Sequence, residues 1–192
     1  ATTEIYPLSL HDALPICVKE FALRLSDELK EGDVRTNAFL QRYLSIGQAK
    51  VSTSAHEAFD LGYLRPGVDE VIVSRSQQLA YAKKVALAMA DKGYSRPAPR
   101  NDIKVLGREA LGMVYVGADS FTVAEYMSEH DKLIAEKLGY VMAGGALSQA
   151  MTEVSEQYLL NLERKAFLEL CTQRKTLERM QSLIVSGKIL RN

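Results

Sequence analysis

From Val18 onward, apolar residues recur at helical spacing in one segment after another, and a glycine closes nearly every segment. An α-helix turns once every 3.6 residues, so an apolar side chain every three or four positions builds a single buried stripe. Glycine tolerates the left-handed backbone that ends a helix. Phe21, Leu25 and Leu29 mark a first helix over Val18–Lys30, ahead of Gly32. Asp33 is placed to cap a second, in which Phe39, Tyr43 and Ile46 share a face before Gly47. Ser54 and Glu57 have capping-box spacing, and a short helix follows to Leu61 and Gly62. Ser74 or Ser76 opens the next helix, which runs to about Lys92. Leu79, Lys83, Ala86 and Ala90 lie on one side of it, and Ala82, Val85 and Met89 on the adjoining face.

Arg108–Met127 reads as helical despite Gly112 and Gly117, and a helix begun at Ser128 stops at Gly144-Gly145. Ser155 caps a helix through about Leu170 with Leu159, Leu162, Ala166 and Leu170 as its stripe. Leu177, Met180 and Ile184 carry the last one, up to Gly187. Asp69–Val73 is the strongest strand candidate and Ile103–Val105 a second. Tyr94–Asp102, with Pro97 and Pro99, is a loop, and Ala146–Thr152 a linker. The expectation is a mainly α chain with at most a few short strands.

Composition excludes several classes. Lys plus Arg and Asp plus Glu both number 24, and a net charge of zero offers no general basic field for nucleic acid. No apolar run reaches the roughly 18 residues of a membrane span. Cys17 and Cys171 are far apart, and His11, His56 and His130 lack ligand spacing, so neither a disulfide framework nor a metal site is expected. A reducing, cytoplasmic setting fits.

The densest chemical cluster is Ser128-Glu129-His130-Asp131. Neighbours on a helix point in different directions, whereas a nucleophile, base and acid must converge, so the spacing is read as a helix cap: Ser128 with Asp131 as its partner. His56 belongs to the other cap. Cys171 ends an apolar stripe and is expected to be packed. Gly144-Gly145 has neither a preceding strand nor the spacing of a dinucleotide loop. Glu153, Glu156, Glu163 and Glu169, with Arg164 and Lys165, are read as a solvated charged face. No catalytic, cofactor-binding or metal-binding residue is assigned.

Residues 1–16 have neither helical nor strand periodicity. The stretch resembles the conceptual translation of a common short-read sequencing adapter, departing from it only at Pro7, where one base change from ACT to CCT turns threonine into proline. On this reading Ser9, His11 and Asp12 carry no chemistry, coding sequence begins near Cys17, and a natural terminus lies at Leu190-Arg191-Asn192.

Motifs over the remaining chain come in a definite order. They run from Lys19-Glu20 through Ala49-Lys50-Val51-Ser52, Ala55-His56-Glu57-Ala58, Arg96-Pro97 and Ile103-Lys104-Val105. Tyr126–Asp131 and Leu138–Gly145 follow, then Glu156–Leu160, Leu162-Glu163-Arg164, Ala166-Phe167-Leu168 and Gly187–Asn192. Together they resemble the end of the fused 3-hydroxyacyl-CoA dehydrogenase/enoyl-CoA hydratase family of fatty-acid β-oxidation, across essentially all of Cys17–Asn192. Lys165 stands where an acid is common in that family, and Ile189 where proline is.

The resemblance implies that residues 17–145 form the helical C-terminal part of a crotonase-like α/β domain and 146–192 a helical extension. The intact parent would hydrate an enoyl-CoA and oxidise the hydroxyacyl-CoA with NAD, using glutamates on a water, two backbone N–H groups on the thioester oxygen and a Gly-rich nucleotide turn. None of these parts maps onto this chain, so no cofactor is expected in it. Acyl-CoA would be the parent's substrate, and a homo-oligomer is possible. Two other readings compete with it: a non-catalytic helical interaction or assembly domain, which a cooperative melt with one oligomeric mass would favour, and a complete small crotonase-like enzyme, which the missing Gly-rich, strand-rich half argues against. Against the first of these, the missing core strands would leave apolar faces such as Phe39/Tyr43/Ile46 without partners and prone to association.

Overall fold

The computed structural model describes residues 18–188 and 190–192. The elements in order are α1 (Val18–Glu28), α2 (Arg35–Gly47), α3 (Ala55–Asp60), α4 (Arg75–Asp91), β1 (Ile103–Val105), α5 (Arg108–Val123), α6 (Glu129–Met142), β2 (Thr152–Val154), α7 (Glu156–Cys171) and α8 (Arg174–Ser186). The fold is mainly α, with two short antiparallel strands. It divides into two compact units: the residues up to Val51 together with Arg100–Asn192, and Ser52–Pro99.

The first unit holds most of the core. Phe39, Ile103, Leu106, Ile134, Leu138, Met142, Leu159 and Leu170 are all less than 2% exposed. The strands pair Ile103 with Val154, Lys104 with Glu153 and Val105 with Thr152. Strand alternation turns Ile103 and Val105 inward and leaves Lys104 outside. α1 is tied to this ribbon where the Lys104 N–H donates to Ser26 Oγ at 2.9 Å. Phe39, Tyr43 and Ile46 are buried, so this face has its partners within the chain, contrary to the stranded surface expected; α2 packs there on α5 and α6.

α5 and α6 approach closely at Gly139. A Cβ there would sit 2.5 Å from Val114 Cγ1. Alanine's better helix propensity, worth roughly 1 kcal/mol, cannot offset that overlap between two packed helices. Gly139→Ala is expected to lower unfolding stability by about 1–3 kcal/mol, read as a reduced urea midpoint at unchanged slope.

Several sequence expectations need correction. Thr152, placed in a linker, begins β2: three residues without alternating hydrophobicity pair only because β1 lies beside them. Asp33 does not cap α2; its carboxylate accepts from the Lys30 N–H at 2.7 Å, and Val34 occupies the cap position. On α8, Leu177 and Ile184 are exposed, while Thr176 and Arg179 face inward.

In the second unit Asp69–Val73 forms no strand. An extended run needs a partner to satisfy its backbone, and among the described residues no strand pairs with it; Val73 is 98% exposed. Asp69 instead closes the preceding turn by accepting from the Arg65 N–H, and Glu70 accepts from the Tyr81 hydroxyl on α4. The α3 cap forms with one shift: Ser54 accepts from the Glu57 N–H, but Glu57 reaches Thr53 rather than Ser54. α4 buries no residue, so the apolar faces read along it are not filled within this unit.

Candidate functional site

The start of α6 is built from the cluster that most resembled an enzyme site. Ser128 Oγ accepts from the Asp131 N–H at 3.1 Å, and its hydroxyl donates to Asp131 Oδ2 at 2.8 Å. This is the capping box the spacing predicts. His130 turns away and meets Thr176 Oγ1 of α8 at 3.1 Å, nearly buried. Serine, histidine and aspartate therefore do not converge.

The partner missing from the sequence reading is Arg179. It is 4% exposed, donates to Asp131 Oδ1 at 2.6 Å, and holds Asn192 through both the side-chain oxygen (2.9 Å) and the main-chain carbonyl (3.3 Å). Burial pushes the Asp131 carboxyl upward, but the Arg179 and Ser128 hydrogen bonds outweigh it and hold the group below the usual carboxylate range. An arginine at an unremarkable position on an amphipathic helix gives no sequence signal of this role.

Next to this ion pair the first unit opens into an apolar groove of about 1160 Å³. Leu40, Tyr43 and Leu44 of α2 form one wall. Gly112, Met113, Val116, Gly117 and Phe121 of α5 form another, with Tyr126 and Met127 beyond them. Asp131, Arg179, Leu190 and Arg191 supply the polar edge. The Tyr43 hydroxyl donates to the Ala135 carbonyl at 3.1 Å, and burial, assisted by the Glu136 charge, pushes its pKa up to about 12. Tyr43 and Asp131 are thus engaged in holding the fold. The groove offers apolar contact area rather than a nucleophile with a base, which suits docking better than bond chemistry.

A second polar centre joins α1 to α7. Glu163, read as part of a solvated face, is 2% exposed because it lies on the same side of α7 as Leu159, Ala166 and Leu170. Its Oε1 accepts from the Lys19 N–H at 2.6 Å, at the open start of α1. Its Oε2 is buried without a hydrogen-bond partner. Burial pushes the carboxyl up to about 7, against the pull of Lys19. Glu156 is bonded too: it accepts from Lys19 Nζ and the Arg100 N–H, both at 3.0 Å. These bonds, the Arg100 one foremost, hold its carboxyl below the ordinary range. Arg100 also forms ion pairs with Asp27 and Asp102.

His56 is exposed and Cys171 half-buried. Ser9, His11, Asp12 and Cys17 lie outside the described residues. Gly144 and Gly145 adopt left-handed backbone at the C-terminal end of α6. A Cβ on Gly144 would lie 2.4 Å from Val105 Cγ2, so this glycine permits close packing on β1. The pair does not fit a dinucleotide. A pyrophosphate needs the N–H groups and positive pole of a helix start, and this is a helix end. No cluster of three or more His, Cys, Asp or Glu suited to a metal occurs among the described residues. None of the described helices is long and apolar enough to cross a membrane.

Over 166 residues the chain is 40% identical to a protein of Bacillus subtilis (strain 168) named probable 3-hydroxyacyl-CoA dehydrogenase. The match covers 86% of this chain and 21% of that protein, so the chain spans about a fifth of its curated relative's length. No family model and no solved structure matches.

Proposed function

We propose that this chain is part of a 3-hydroxyacyl-CoA dehydrogenase of fatty-acid β-oxidation, in which it serves as helical support and not as the reaction centre. The carrying observation is the 40% identity sustained over most of the chain to a protein of that name. The finer reading is that the dehydrogenase is fused to a crotonase-like enoyl-CoA hydratase, that the parent uses NAD and acyl-CoA thioesters in the cytoplasm, and that residues 17–145 and 146–192 are the end of its hydratase domain and a helical extension. The ordered tail motifs, from Tyr126–Asp131 to Gly187–Asn192, support it. A non-catalytic role agrees with the bonding of the polar groups: Ser128, Asp131, Glu156 and Arg179 are spent on capping and cross-linking helices.

The test is direct. Purified chain is expected to produce no NADH from 3-hydroxybutyryl-CoA and no hydration of crotonyl-CoA. Turnover that co-purifies with the chain and scales with its concentration would overturn the supporting role.

A further inference from the structure

Gly112 and Gly117 lie inside α5, where glycine disfavours the helix relative to alanine. A mid-helix glycine commonly lets another backbone come close. For Gly139 the close neighbour is the Val114 side chain; a Cβ at Gly112 or Gly117 would meet nothing within 4 Å. Both line the apolar groove. Beside them Val116 and Phe121 are 67% and 42% exposed, a cost that nothing within this unit offsets. The groove's 1160 Å³ is close to the volume of about three turns of an α-helix, taking a diameter of roughly 10 Å.

We propose that the groove seats an apolar helix supplied by the remainder of the enzyme's own polypeptide, lying against the face of α5 that Gly112 and Gly117 border on either side of Met113 and Val116. This rests on the reading of the chain as part of a longer dehydrogenase. Most of the Bacillus subtilis relative lies outside the match, so a source for that helix exists in the same polypeptide.

The test uses this chain alone and a chimera in which it replaces the matched segment of the Bacillus subtilis protein. In the chain alone, Gly112→Ala with Gly117→Ala is expected to raise the melting temperature, because helix propensity improves and no atom is displaced. In the chimera the same pair is expected to lower it, because the seated helix is pushed away. Gly112→Phe with Gly117→Phe is expected to cut the chimera's NAD-dependent oxidation of 3-hydroxybutyryl-CoA by roughly tenfold or more. An active chimera indifferent to the Phe pair, or alanine shifts of the same sign in both settings, would overturn the seated helix while leaving the dehydrogenase reading intact. An inactive unsubstituted chimera would overturn both. Saturable binding of palmitoyl-CoA to the chain, or self-association seen in sedimentation, would assign the groove another occupant if the Phe pair abolished it.

Discussion

Glu163→Gln is expected to stabilise the protein at pH 8 and to leave it little changed at pH 5. The carboxyl is buried in α7's inward face, with one oxygen on the Lys19 N–H and the other without a partner. Burial raises its folded pKa to about 7, whereas an unfolded glutamate titrates near 4.3. Between those values the folded chain holds a proton that the unfolded chain has released. Stability therefore falls as pH rises through this window and levels off above it, a total of about 4 kcal/mol by linkage. The groups bearing on it are Lys19, Glu20 and the Val18 N–H of α1, and Glu156 of its own helix shares Lys19. Asp131 and Glu156, held below the usual range, act at the acid end instead and are common to both proteins. A neutral amide can still accept from the Lys19 N–H but is never charged. Urea unfolding at pH 5, 6, 7 and 8 should show the variant losing the wild-type slope. A variant less stable than wild type at pH 8 would refute a charged, poorly solvated Glu163.

Arg179→Met is expected to have an effect of similar size and opposite sign. Removing one member of a buried ion pair leaves the other uncompensated, at about 3–5 kcal/mol. Asp131 retains some exposure and its Ser128 bonds, so the lower figure, about 3 kcal/mol, is expected. Its depressed pKa adds a pH signature. Stability from the pair is present above the unfolded value of about 3.9 and is lost as pH falls through and below it, so the difference between wild type and variant should shrink in acid. Asp131→Asn combined with Arg179→Met should cost less than the sum of the single changes. Strict additivity, from thermal or urea melts of all four proteins, would show that the pair is not coupled.

Together these residues show how far linear pattern carries. Helix content, the α6 and α7 caps, the glycine stops and the Phe39/Tyr43/Ile46 stripe were all legible, because each depends on residues within about two helical turns; that the stripe finds its partners within the chain was not. The DEVIV run misled for the complementary reason. A strand is defined by its neighbour, and composition cannot say whether one is present. Gly112 and Gly117 were visible only as tolerated irregularities in a helix; their position on a groove wall required α2 to be placed beside them.

Glu163 divides the two kinds of information most sharply. By itself the sequence determined that this residue lies on a helix capped by Ser155, one position along from Leu162 and three before Ala166. It also determined, through ordered motifs, the kind of enzyme the chain resembles. Charge alone then argued for a solvated face, since carboxylates are rarely buried. Only the tertiary structure brought the start of α1 against α7, where the Lys19 N–H lacks a partner within its own helix. That unmet donor draws the carboxylate inside, and no local pattern on α7 could reveal a donor more than a hundred residues away.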